Sequence, residues 1–249
     1  METDAGDQPT PPTRMRGVTI SREYGSGGGE IAARLARRLG WQLVDHQLVT
    51  EVARALGETE EVAGRSDEHV AGFVARVIDG LQWVAPWSGG QPGHTADEDL
   101  RRHYEALCTV IRAVMEVGQV VIVGRGAQAL LADRRDVLHV RVVAPLERRV
   151  GYVAGREGLS PEAARDRIRR KDGDRAHYLQ AVERVRPDDP HLYDVVINTG
   201  VLSLDQAVEI VATALAAKGE RLDVPEKELG PGAGLGPYPA APGELRLRR

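Results

Sequence analysis

A short β-branched run, Val18-Thr19-Ile20, leads through SREYGSGGGE (Ser21 to Glu30) straight into IAARLARRLG (Ile31 to Gly40). Ile31, Leu35 and Leu39 fall on one face of a helix with arginines opposite, and Gly40 supplies the stop. A strand that turns through clustered glycines into a helix leaves few architectures open. Successive glycines let backbone N–H groups converge on an anion, and the helix that follows adds its positive end.

The same alternation continues along the chain. Trp41 to Val44 reads as a second strand ending at Asp45, Gln119 to Val123 as a buried one, Val137 to Val143 as another, and Val195-Val196-Ile197 closes the set. Helical patterns run over 46–56, 69–84 and 97–117, while Ser160-Pro161 and Ser203 to Gln206 are helix starts, the latter with capping-box spacing. This order predicts an α/β, three-layer fold: a mostly parallel sheet covered on both faces, with a helical insertion over 57–117. Residues 1–15 are polar and proline-rich and are expected to form a disordered arm; the Gly/Pro-rich stretch 219–249 is expected to be a disordered tail.

In such sheets ligands collect beyond the carboxyl ends of the strands. The positions to read are therefore the glycine loop, Asp45, Gly124-Arg125, Ala144-Pro145 and Asn198-Thr199.

Composition narrows the chemistry. A chain of 249 residues suits one α/β domain with an insertion, and a net charge of -4 argues against nonspecific nucleic-acid or membrane binding. Cys108 is the single cysteine, so no internal disulfide or cysteine-rich zinc site forms; with Tyr104, Leu107, Ile111 and Met115 it makes an apolar helical stripe. The seven histidines have no metal-ligand spacing, and no metal site is assigned. No apolar run reaches membrane-spanning length, and the acidic, proline-rich start does not read as a secretory signal, so the expected location is the cytoplasm. Monomer and homo-oligomer both stay open.

The glycine loop departs from G-x-x-x-x-G-K-[ST]. Aligned on Gly25, Gly27 and the helix, Arg22 stands at the leading glycine and Gly28 at the lysine; Glu30, one residue past the hydroxyl position, is the first polar side chain that could take the hydroxyl's place. The only lysines are Lys171, Lys218 and Lys227, so no shifted alignment recovers one. A unit charge about 4 Å from a phosphate contributes roughly 4 kcal/mol at an effective dielectric near 20. Arg22, just past the strand, can supply that charge from the other side of the loop. Glu30 has two readings: a carboxylate favourable against the helix dipole, or a magnesium ligand. A dinucleotide-binding site is the rival reading, since Gly25-Ser26-Gly27 begins G-x-G-x-x-G and Asp45 ends the next strand, but the third glycine is absent.

VTISREYGSGGGEIAARLARRLG, VIVGRGAQALL, VVAPLERRVGYVAGREGLS, KDGDRAHY and YDVVINT, taken together and in order, resemble the cytidylate kinase-like family, a branch of the nucleoside monophosphate kinases. That family's loop typically begins Ser-Arg-Glu-Tyr and lacks the lysine; it usually has an arginine where this chain has Gly29. The resemblance implies a P-loop kinase-like domain over 16–218 with a lid-like region at 160–190, ATP with Mg2+ as donor, and a small nucleotide, CMP, dCMP or a relative, as acceptor. It implies catalytic roles for Arg22, Lys171, Asp172 and Arg175. Donor contacts would come from Gly25, Ser26, Gly27, Gly28, Gly29, Glu30 and Arg149, and acceptor contacts from Asp45 and Arg125. An N-cap for Asp45, surface ion pairs for Arg149 and a salt-bridged exposed helix for Lys171 and Arg175 remain alternatives. So does a non-catalytic nucleotide-binding module built on the same loop.

Overall fold

The structure, a computed structural model, describes residues 14–45 and 96–230. The helices expected over 46–56 and 69–84, the first residues of the arm and the end of the tail lie outside the described residues.

Strands β1 (Gly17–Arg22), β2 (Gln42–Val44), β3 (Val120–Val123), β4 (Val137–Val143) and β5 (Val195–Asn198) form one sheet. Its order is β2-β3-β1-β4-β5, and every pairing is parallel. Because β3 lies between β1 and β2, the order is not that of a dinucleotide-binding domain, in which β1 and β2 are neighbours. Among the described residues the α-helices are α1 (Gly28–Leu39), α2 (Ala96–Val117), α3 (Ala127–Leu130), α4 (Leu146–Glu157), α5 (Pro161–Glu183) and α6 (Leu204–Glu220). This is a three-layer α/β, P-loop kinase-like architecture.

Alternation along each strand sends successive side chains to opposite faces. Val121 and Val123 join Val18, Ile20, Ile31, Leu35 and Val211 in a core beneath α1 and α6. Val120 and Ile122 face the other way, toward Leu107, Ile111 and Met115 of α2. Both faces are covered, which is why the strands read as nearly continuous apolar runs. Cys108 is buried in α2 as its stripe implied. A smaller cluster of Val150, Val153, Ala164 and Ile168 joins α4 to α5.

The predicted helix starts are in place. The Ser160 hydroxyl accepts from Ala163 N–H at 3.2 Å. Ser203 and Gln206 form a reciprocal capping box, with bonds of 2.9 and 3.1 Å. Order extends past the expected boundaries at both ends. Met15 is 1% exposed in the core, and Leu222 packs against it; Arg135 holds the Arg221 and Val224 carbonyls at 2.7 and 2.8 Å.

Candidate active site

The glycine loop follows β1, the central strand. Gly25 and Gly27 have φ of 82° and 79°, in the left-handed region that a Cβ disfavours. Both are also tightly seated: a Cβ on Gly25 would stand 2.8 Å from Val153, and one on Gly27 2.6 Å from Leu204. The Ser26 hydroxyl is turned inward, donating to the carbonyls of Glu23 at 2.9 Å and Val142 at 3.1 Å. Thr199 pins the loop from β5 by donating to the Ser26 carbonyl at 2.8 Å. What the loop offers a ligand is therefore backbone: the opening N–H groups of α1 have no intrahelical partner, and no side chain caps them.

A cavity of about 380 Å³ lies over this loop, lined by Gly25, Gly27, Gly28, Gly29 and Glu30 and, from α4, by Tyr152 and Arg156. A larger one, about 910 Å³, opens on the other side of β1's end; Arg125, Gln128, Arg141, Lys171, Asp172 and Tyr178 line it. Arg22, Glu23 and Arg175 line both.

Arg22 is placed by close packing. Its side chain crosses Gly28, where a Cβ would stand 2.7 Å from Arg22 Cβ, and its guanidinium reaches the space a Cβ on Gly124 would need. Burial, together with the nearby charges of Arg175 and Arg125, lowers its pKa to about 10. It remains a cation at neutral pH, and among the described residues no carboxylate forms an ion pair with it. Arg175 also has a lowered pKa, chiefly through burial and against the pull of Asp172. Its guanidinium lies 5.4 Å from the centre of the Tyr24 ring and donates to the Arg22 carbonyl at 3.4 Å. Arg125 projects from a turn in which Gly124, Arg125 and Gly126 have φ of 75°, 63° and 70°. A left-handed arginine costs conformational energy, and such strain concentrates where a side chain must be aimed. Cations gathered in a poorly hydrated space repel one another until an anion joins them.

Asp172 ties α5 to the loop. Its carboxylate accepts from Tyr24 N–H at 2.7 Å, from Arg149 at 2.6 Å and from Arg175 at 3.4 Å. Arg149, expected among the donor contacts, is placed apart from the loop cavity. It lines neither cavity; it lies beneath the loop, 9% exposed, and donates to the carbonyls of Ala144 at 3.0 Å and Tyr24 at 3.2 Å. It supports the loop. Lys171 lies on the exposed rim of the larger cavity. Asp45, just past β2, is in neither lining. Glu30 accepts from the Tyr152 hydroxyl at 2.7 Å and pairs with Arg156, so its charge is balanced by protein. Among the described residues no cluster of ligating side chains could hold a metal ion unaided.

Three contributors escaped the sequence reading. Arg141 donates to Ser21 Oγ at 3.1 Å and stacks over Tyr193 at 5.6 Å; a cation inside the apolar run VLHVRVV was the available signal. Tyr24 supplies a ring for Arg175. Gln128 turns a buried carboxamide to the larger cavity.

Over 120 residues the chain is 33% identical to a cytidylate kinase of Methanopyrus kandleri, an alignment covering 45% of this chain and 62% of that protein. Over 109 residues it is 33% identical to a uronate isomerase of Corynebacterium glutamicum, covering 44% of this chain but 21% of the relative. The chain thus spans less than two thirds of the length of either curated relative. A crystal structure of an uncharacterized protein from Eubacterium ventriosum shares the fold, with a TM-score of 0.58 at 21% identity, over 80% of this chain and 98% of that one. Residues 17–201, which hold the loop, the arginines and all five strands, match the cytidylate kinase-like family, and the chain belongs to that family.

Proposed function

We propose that this protein is an ATP-dependent nucleoside monophosphate kinase that transfers the γ-phosphoryl group of ATP to CMP, dCMP or a closely related acceptor. The observation that carries this reading is the shared wall: Arg22 and Arg175 border both the loop cavity and the larger one. A phosphoryl group passing between two nucleotides needs positive charge at their junction more than it needs a covalent nucleophile.

The loop fits a triphosphate, since its free groups are N–H donors at a helix N-terminus. Magnesium-ATP, bound through the loop amides and Arg22, would supply the transferable phosphoryl group. The loop amides, Arg22 and Arg175 hold the β- and γ-phosphates, and Arg125 holds the acceptor phosphate in the larger cavity. An oxygen of the acceptor phosphate attacks the γ-phosphorus, the bond to the bridging oxygen breaks, and ADP departs. Arginine suits this work because its planar fork grips phosphate oxygens in pairs and keeps its proton. Asp172 acts as a positioning residue, fixing Arg175 and the loop backbone together.

A second reading, a nucleotide-binding module without turnover, draws support from Gly28 in the lysine position and from Glu30 being engaged by Arg156. A coupled assay of ADP release with CMP, dCMP, UMP and AMP separates the two. Acceptor-dependent ADP formation supports the kinase. ATP binding with no ADP from any acceptor supports the module.

A further inference from the structure

Gln128 is 2% exposed, yet among the described residues its carboxamide has no hydrogen-bond partner, and it lines the larger cavity. Buried polar side chains are nearly always paired, so one left open toward a cavity calls for an explanation. It is not isolated. Among the described residues the hydroxyls of Tyr178 and Tyr104 are both buried without a partner, and Tyr178 lines the same cavity. The two rings meet edge to face, with centroids 6.1 Å apart. They pack against the apolar cluster that contains Ala127, the neighbour of Gln128.

This polar wall adjoins the cation meant for the acceptor phosphate. Gln128 lies in the helical turn immediately after Arg125. Leu179, next to Tyr178 in α5, packs 3.3 Å from where a Cβ on Gly126 would stand. Arg125 acts electrostatically on the Tyr178 hydroxyl. The cavity thus carries fixed positive charge from Arg22 and Arg125 and, on the same lining, neutral groups that can both donate and accept. A carboxamide presents one donor and one acceptor side by side in a plane. The edge of a nucleobase presents the complementary pair.

We infer that Gln128, with the Tyr178 hydroxyl, reads the base edge of the phosphoryl acceptor and so sets acceptor specificity. The inference rests on the proposed assignment of the larger cavity to the acceptor. A side chain that awaits a ligand has a distinctive signature: its removal weakens binding without weakening the fold.

The test is calorimetric titration of the wild type, Gln128→Met and Tyr178→Phe with CMP, UMP, AMP and ribose 5-phosphate, alongside thermal melts. Gln128→Met preserves length and volume and removes an unpaired buried dipole, so its melting temperature should hold or rise. Its affinity for the nucleoside monophosphate that the wild type prefers should fall at least tenfold, while its affinity for ribose 5-phosphate stays the same. Tyr178→Phe should show a smaller loss of the same kind. Unchanged monophosphate affinity in Gln128→Met would overturn the inference. So would equal loss for ribose 5-phosphate, a lowered melting temperature with unchanged binding, or a wild type that binds none of the monophosphates better than ribose 5-phosphate. The kinase proposal is scored separately by ADP release: turnover with unaltered specificity in Gln128→Met sinks this inference alone. Base-dependent binding without turnover sinks the kinase and leaves the base-reading role standing.

Discussion

The side chain of Arg22 crosses Gly28 so closely that a Cβ at position 28 would stand 2.7 Å from Arg22 Cβ and 3.2 Å from its Cγ. The absence of a loop lysine and the presence of this arginine are therefore one fact. Reinstating the lysine alone should not repair the loop. Gly28→Lys should destabilise the protein by about 1–3 kcal/mol through overpacking and should bind ATP no more tightly than the wild type. The double variant Arg22→Gly/Gly28→Lys should recover stability relative to Gly28→Lys. Thermal melts and ATP titration check both statements.

Gly29 is a different kind of glycine. Nothing lies within 4 Å of where its Cβ would be, and it lines the loop cavity. Gly29→Arg should therefore fold normally: the gain in helix propensity, about 0.5–1 kcal/mol, offsets a cation at the helix N-terminus of similar size. Its charge should tighten ATP binding at least threefold at low salt, with the gain shrinking as salt is raised, as for any exposed cation. Titrations at two ionic strengths read this directly.

Asp172 links Tyr24 N–H, Arg149 and Arg175 across a sequence separation of 148 residues between loop and α5. Asp172→Asn keeps the shape and removes the charge. Because hydrogen bonds to charged groups contribute about 1.5–3 kcal/mol, chemical denaturation should show a loss of that order. Turnover should fall more than the KM for ATP rises, since the altered residue positions Arg175 rather than touching the donor. Steady-state kinetics separate these effects.

How much of this was legible beforehand follows from the range of the forces involved. The β-branched runs and glycine clusters are local signals, and Val137–Val143 appears as a strand with the bounds its sequence implied. The places of Arg22 at the end of β1 and Arg125 just past β3 were legible because strand ends are local signals. The place of Arg149 was not legible: a basic residue on a helix looks the same whether it faces a cavity or lies under a loop. Only the approach of α5 to β1 decides between them. Arg141 and Gln128 depend in the same way on which walls meet at the cavity. The structure leaves Asp45 outside both linings.

His139 offers a pH-dependent check on the core beneath the site. Its Nε2–H donates to the Leu131 carbonyl at 3.2 Å, and Nδ1 accepts from the Thr19 hydroxyl at 2.8 Å. Burial, reinforced by Lys218 and opposed by Asp194, lowers its pKa to about 4. An unfolded histidine titrates near about 6.5, so between those values the unfolded chain binds more protons and stability falls as pH falls. The loss should reach up to about 3 kcal/mol by pH near 4, and His139→Gln should flatten that part of the curve. Urea denaturation at half-unit pH steps measures the slope.

Central to the whole account is that Arg22 provides the phosphate-binding charge at the boundary between the two cavities. ATP titration and ADP release, measured on Arg22→Ala and Arg22→Lys beside the wild type, test it most directly. Arg22→Ala should bind ATP at least tenfold more weakly, about 1.4 kcal/mol, and should lose acceptor-dependent ADP formation, with Arg22→Lys recovering part of both. Wild-type affinity and turnover in Arg22→Ala would contradict it.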